Sequence, residues 1–431
     1  MSSRWVWLLS QLVRRIWFRA TLFSVLAIFT ALIAIVVAPY IPADLSTRIG
    51  ADAVDKILGI IASSMLTVTT FSLSTMVSAY SAATSNVTPR ATKLVMEDST
   101  TQNVLATFVG SFLFSLVGIV ALSTGAYGDQ GRVVLFLVTI GVIVLVVVTL
   151  LRWIDHLSRL GRVTETTERV EAATIEAIRS RRQRPYLGGR RLKDPSDIPA
   201  QARPVFVSRI GYIQHLDTGR LSAIASELNA DIFVRMIPGQ LVDPTKPVAA
   251  VFGPAIESGD KTTDEDIAKC FAVEDTRSFD QDPRFGACVL SEIASRALSP
   301  AVNDPGTAID VIGRTLRVLA VWIETVENGV DEEVLYPNVH VPAIKLDDIF
   351  DDLFTPIARD GAALVEIGIR LQKAFATLAN FDQSRFRKAA QRHSQEALER
   401  ASLALSLKDD LHKVRNAAAH VASAAITKTE K

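Results

Sequence analysis

Residues 57–89 read ILGIIASSMLTVTTFSLSTMVSAYSAATSNVTP, with no Asp, Glu, Lys or Arg between Lys56 and Arg90. A charge-free helix of this length crosses a bilayer, which needs about 20 consecutive apolar residues. Its hydroxyl residues are ordered. Ser63, Thr67, Thr70, Ser74, Ser78, Ser81 and Ser85 follow one another in steps of three or four. At about 100° per residue they share an arc of about 80°. A continuous polar line through lipid calls for a partner, either another helix or water. Leu73 and Met76 are expected on the opposite side.

Three more apolar runs surround this one. Span one is read at Ala20–Ala38, after Arg4, Arg14, Arg15 and Arg19 and before Pro39 and Pro42. It is longer than a signal-peptide core and reads as an uncleaved span. Span three is about Val104–Ser123, and span four is Val133–Leu151, ended by Arg152. Lys and Arg gather at the N-terminus, after span two (Arg90, Lys93) and after span four (Arg152, Arg159, Arg162). The positive-inside rule then places both termini in the cytoplasm.

The formal net charge of the 431 residues is +0, but the charges are partitioned. Residues 152–193 hold 11 Lys and Arg against 5 Asp and Glu, and residues 194–431 hold 26 against 35. The expected fold is membrane α-helical, with four transmembrane helices followed by a cytoplasmic α+β domain that is mostly helical. The expected boundaries are 1–155 for the four-span domain and 156–204 for a basic juxtamembrane helix and linker. A small mixed α/β unit follows at 205–255, then a mainly helical soluble domain at 256–431. The two cysteines, Cys270 and Cys288, suit a reducing compartment.

Residues 156–184 read as one charged helix, with Arg179, Arg181, Arg182 and Arg184 near its end facing solvent or lipid headgroups. Val205, Val207 and Tyr212 suggest a strand, and Asp217 or Thr218 can cap a helix buried at Leu221, Ile224, Ala225 and Leu228. Further strands are expected at 232–236 and 248–252, and mostly helix from about Thr262. Two helix starts share one device, Asp282-Pro283 and Asp304-Pro305. The carboxylate accepts from first-turn N–H groups, and the proline sits where its missing N–H does no harm. After Asp304, Ile309, Ile312, Leu316, Leu319 and Ile323 mark one buried face. Long helices are expected over 346–378 and 383–427.

Asp282–Thr307 reads DPRFGACVLSEIASRALSPAVNDPGT. This closely resembles a bacterial membrane-protein family, the domain of unknown function numbered 2254, most specifically at ALSPAVND, Ala297–Asp304. Phe71–Arg90 and Gly211–Leu221 resemble other parts of that family. The resemblance covers nearly the whole chain and implies an integral membrane protein of the same architecture. It implies no activity.

The turn Ser299, Pro300, Asn303, Asp304 and Pro305 has two readings. Ser299, Asn303 and Asp304 converge on a cation or polar ligand, or Pro300 ends one helix and Asp304 caps the next. Signals for catalysis are weak in the sequence. There is no HExxH, no P-loop and no G-x-S-x-G, and the six histidines show no ligand spacing. No enzyme, cofactor or metal is expected. The acidic soluble half argues against nucleic acid. The expected partners are the lipid bilayer and further copies of the chain as a homo-oligomer; a protein partner stays unspecified.

Two functions compete. In one, the stripe lines an oligomeric pore or channel-like protein with a cytoplasmic regulatory domain. In the other, the stripe is a packed helix seam of a non-catalytic membrane-anchored scaffold or sensor. Its cytoplasmic domain then binds a partner or ligand.

Overall fold

The computed structural model describes residues 21, 25, 29, 33, 51–96, 98–124, 128–159, 161–254, 261–323, 334–381 and 384–423. One compact unit lies within Trp7–Thr166 and the other within Thr167–Lys431.

The first unit contains α1 (Ala51–Asn86), α2 (Pro89–Met96), α3 (Ser99–Ser123) and α4 (Gly128–Arg159). Among the described residues, three stretches are long and apolar enough to cross a membrane: Ala53–Ala82, Thr100–Ser123 and Val133–Arg159. The expected span Ala20–Ala38 lies outside the described residues except for Thr21, Val25, Phe29 and Ile33, which are helical. Thr88 precedes a proline, which disfavours helical backbone, so α1 stops before it and Pro89 opens α2. Asp98 starts α3 by accepting from the Thr101 N–H at 2.8 Å.

The helices α1, α3 and α4 pack through two apolar clusters. Val54, Leu58, Phe114 and Leu135 form one. Ile61, Met65, Val104, Phe108, Val146 and Trp153 form the other. Gly118 allows the close approach in the first cluster, because a Cβ there would lie 3.0 Å from Leu58 Cδ1.

The second unit begins on α5 (Val163–Gln183). The single charged helix expected over 156–184 is broken, because Gly161 takes a left-handed φ of 82° between α4 and α5. Then follow β1 (Gly189–Leu192), β2 (Arg203–Val205), β3 (Gly211–Leu216), α6 (Thr218–Glu227), β4 (Asp231–Val234), β5 (Leu241–Val242), β6 (Ala249–Phe252), α7 (Lys261–Ala268) and β7 (Phe271–Glu274). The remainder is α8 (Pro283–Ala297), α9 (Pro305–Ile323), β8 (Tyr336–Pro342), α10 (Leu346–Asp360), α11 (Val365–Ala379), α12 (Ser384–Ala404) and α13 (Lys408–Ser423).

The strands form a five-stranded sheet in the order β1-β8-β4-β6-β2 and a three-stranded sheet β5-β3-β7. β8 runs parallel to both β1 and β4. Some of these strands depart from the sequence reading. β1 falls in the expected linker, and β7 and β8 fall in the stretch expected to be mostly helical. Their neighbours supply the apolar contacts: Val339 and Val341 of β8 join Ile232, Val234 and Val251 in the core.

The helices pack through ion pairs as well as apolar side chains. Glu171 of α5 receives Arg314 of α9 at 2.7 Å. Arg284 of α8 reaches Asp348 and Asp352 of α10, both at 2.7 Å. The expected long helix over 346–378 is two, α10 and α11, which turn at Gly361; a Cβ there would sit 2.4 Å from Ile367 Cγ2. The expected helix over 383–427 is likewise α12 and α13, separated at residues 405–407.

Candidate functional site

All seven stripe residues, Ser63, Thr67, Thr70, Ser74, Ser78, Ser81 and Ser85, are exposed in the single chain. The buried side of α1 carries Leu58, Ile61, Met65, Ser72, Met76 and Ala79. The two sets lie about 180° apart on the helix. The stripe therefore points away from α3 and α4 and is not a seam among the described helices. Leu73, expected opposite the stripe, is 48% exposed, whereas Met76 is 4% exposed. The reason is phase: Leu73 sits about 100° from Ser74, between the stripe and the buried face, whereas Met76 sits about 160° away.

Many of these hydroxyls bond their own helix. Ser63 and Thr67 donate to the carbonyls of Gly59 and Ser63, each at 3.0 Å. Ser78 donates to Ser74 O at 3.1 Å and Ser85 to Ala82 O at 3.2 Å. Thr70 donates to Leu66 O in the same way. Such back-bonding satisfies the donor and leaves oxygen lone pairs on the surface.

A polar knot closes the buried side of this unit. His156 Nε2 lies 2.9 Å from Asp98 Oδ2 and 3.1 Å from Thr101 Oγ1. The Trp153 ring stacks on His156 with centroids 5.6 Å apart. Histidine spacing alone gave no sign of this pair, because Asp98 and His156 come from different helices.

The motif turn is placed between α8 and α9. Ser299 Oγ donates to Arg296 O at 2.7 Å, and Asn303 takes a left-handed φ of 50°. Asp304 accepts from the Thr307 N–H at 3.1 Å and from the Thr307 hydroxyl at 2.6 Å. Those hydrogen bonds hold its carboxyl below the ordinary range. Pro300, Asn303 and Asp304 are exposed and Ser299 and Pro305 half-buried. Ser299 and Asp304 thus each serve an adjacent helix end. The other Asp-Pro start also caps: Asp282 accepts from the Phe285 N–H at 3.1 Å. It also pairs with Arg277 at 2.7 Å.

The second unit holds a cleft of about 660 Å³ that sequence reading missed. Its lining brings together Arg191, Lys193, Arg235, Lys345, Arg385 and Lys388 over an apolar floor that includes Leu192, Val234, Trp322 and Phe386. Two carboxylates, Asp194 and Asp347, share it. None of the six cations forms an ion pair with a described residue. The volume falls in the range of small-molecule sites, about 300–1,000 Å³. The cations come from four separate segments, so no local motif announces them. Among the described residues no group of three or more His, Cys, Asp or Glu is placed to hold a metal ion.

Residues 13–377 match the family described as "Predicted membrane protein (DUF2254)". The chain belongs to this family. It is thus a bacterial membrane protein of a family whose description assigns no reaction. Uncharacterised proteins of Mycobacterium bovis and Mycobacterium tuberculosis are each 24% identical over 261 residues, 59% of this chain and 50% of theirs. The chain spans about half the length of these curated relatives. No solved structure matches.

Proposed function

We propose that the chain forms a homo-oligomer in the bacterial inner membrane, with the α1 stripes of neighbouring copies facing one axis and lining a wet path. The observation that supports this is the outward direction of all seven hydroxyl residues, opposite the face packed on α3 and α4. One copy has too few spans to enclose a path, so the path needs several. Hydroxyl groups both donate and accept, which makes such a lining wet and weakly ion-selective. In this reading Ala20–Ala38 is a fourth span and both termini are cytoplasmic, as the arginine distribution favours. The soluble unit regulates the path and catalyses nothing.

Cross-linking in native membranes tests the assembly. In a variant with Cys270 and Cys288 replaced, Ser74→Cys is expected to join copies through bifunctional thiol reagents. Met76→Cys, on the buried side, is expected not to. A Ser74→Cys chain that stays single with reagents of every reach contradicts the proposal.

A second reading keeps the oligomer but makes the stripe a dry seam of a sensor. Two observations favour it. The stripe hydroxyls already bond their own backbone, as small polar residues do where membrane helices approach closely. The basic cleft of the soluble unit fits an anionic ligand of small-molecule size. Calorimetric titration with a nucleoside triphosphate tests the cleft. Arg235→Glu combined with Lys345→Glu is expected to weaken binding tenfold or more, and equal binding by that variant removes the cleft from the account.

A further inference from the structure

The last turns of α5 bury Arg181, which is 5% exposed. Its Nε, Nη1 and Nη2 have no hydrogen-bond partner among the described residues. The neighbouring arginines of this unit end on acceptors. Arg277 meets Asp282, Arg314 meets Glu171, and Arg182 donates to Val321 O at 2.6 Å. Arg181 is the exception among these. A guanidinium offers five donors in a fixed fork, and taking it from water without an acceptor is strongly unfavourable. Burial pushes its pKa down to about 10, so it stays charged at neutral pH.

No nearby carboxylate accepts a hydrogen bond from it. Asp282 gives its oxygens to Arg277 at 2.7 and 3.0 Å and to the Phe285 N–H. Asp217 caps α6 by accepting from the Arg220 N–H at 3.0 Å. Asp280 accepts a 3.5 Å contact from the Ser278 hydroxyl and none from Arg181.

Arg181 lines a cavity of about 110 Å³ with Ser180, Arg184, Thr218, Asp280 and Gln281. At ~30 Å³ per water this holds about three or four waters, or one small oxyanion. Arg184 is exposed and Arg181 buried, and both line the space. Thr218 opens α6, whose N-terminal end favours negative charge. Asp217 already caps that end, so the arginines carry the site.

We propose that this cavity binds a phosphate-class oxyanion, clamped between Arg181 and Arg184. The inference is independent of the pore reading, since it needs neither an oligomer nor a wet stripe. The phosphate is either free in solution or the headgroup of a lipid, and the test separates the two.

Full-length protein in detergent is titrated with inorganic phosphate at constant ionic strength, with chloride as the reference. The thermal midpoint is expected to rise saturably, on the order of 5 °C at about a hundredfold excess over the dissociation constant. Arg181→Met is expected to abolish that response and to melt no lower than wild type without phosphate, because it removes an unpaired buried charge. Equilibrium dialysis of wild type against radiolabelled phosphate is expected to give about one phosphate per chain, whatever the folding of any variant.

The source is read in lipid nanodiscs. A free-phosphate response in both phosphatidylcholine discs and discs containing phosphatidic acid assigns a soluble ligand. Stabilisation over Arg181→Met by phosphatidic acid, with no further effect of free phosphate, assigns a headgroup. Absence of binding in detergent and in both discs overturns the site. So does a phosphate response that survives in Arg181→Met.

Discussion

Trp153 donates its indole N–H to the Ser72 hydroxyl at 2.9 Å, joining α4 to α1 across 81 positions of sequence. Both residues are buried. Ser72 lies about 160° around the helix from Ser74, so this one hydrogen bond helps to set which side of α1 faces in and which side presents the stripe.

Removing the Ser72 hydroxyl leaves a buried indole N–H unpaired. Ser72→Ala is therefore expected to cost about 1–3 kcal/mol. Ser74→Ala, on the exposed side, is expected to cost almost nothing. Thermal unfolding of the two variants in detergent checks the contrast, and equal midpoints would show that the hydrogen bond does not hold α1.

In the second unit Glu171 and Arg314 are both 7% exposed and meet at 2.7 Å. Glu171→Gln leaves Arg314 with a weakened partner in a buried place, and a loss of about 3 kcal/mol is expected. Arg317→Gln removes the exposed arm of the same cluster and is expected to cost under about 1 kcal/mol. Denaturant midpoints of the two variants, taken side by side, report the difference.

Asp304→Ala is expected to destabilise the soluble unit by about 0.5–2 kcal/mol, and Asp304→Asn by less. Hydrogen bonds from Thr307 hold the Asp304 carboxyl below its ordinary 3.8. A depressed carboxyl stabilises fully above its unfolded value and loses that contribution as pH falls through its folded value. The gap between wild type and Asp304→Asn is thus expected to be constant at neutral pH and to close below about pH 4. A gap that persists at pH 2 would show that the charge is not what stabilises the cap.

Topology follows from the arginines that flank the apolar runs. Reporters fused after residue 126 and after Asp194 are expected to be active outside and inside the cytoplasm, respectively. A reporter after Asp194 active only outside would invert the chain.

The stripe was legible because it repeats at helical spacing within one uninterrupted segment. Its outward direction was not, since hydropathy does not say which side Trp153 will pin. The α5 arginines show a second limit. The buried face of α5 runs through Thr167, Val170, Glu171, Thr174, Ala177 and Arg181, mostly polar residues that read as a solvated side. In α9 the expected Ile309, Leu316 and Ile323 are only half-buried, while Val311, Thr315 and Val318 are buried with Ile312 and Leu319. Arg314 occupies part of that face through its pair with Glu171, 143 positions away, and no local pattern encodes such a pair. The Asp-Pro caps are the opposite case. Their partners lie within three residues, at Phe285 and Thr307, so spacing alone reveals them. The basic cleft and the Arg181 cavity are assembled from separated segments and appear only once the chain is folded.

Thiol accessibility in intact membranes tests the wet path most directly. Single cysteines at Ser63, Ser74, Ser78 and Ser85, in a chain lacking Cys270 and Cys288, are treated with a small water-soluble thiol reagent. Met76→Cys and Ala79→Cys serve as buried references. Thiolates form where water reaches and react far faster than thiols. The account predicts modification at Ser74 and Ser78 at rates well above the two references, comparable with those at Ser63 and Ser85 near the helix ends. Protection of Ser74 and Ser78 to the level of Met76, while Ser63 and Ser85 react, would contradict it.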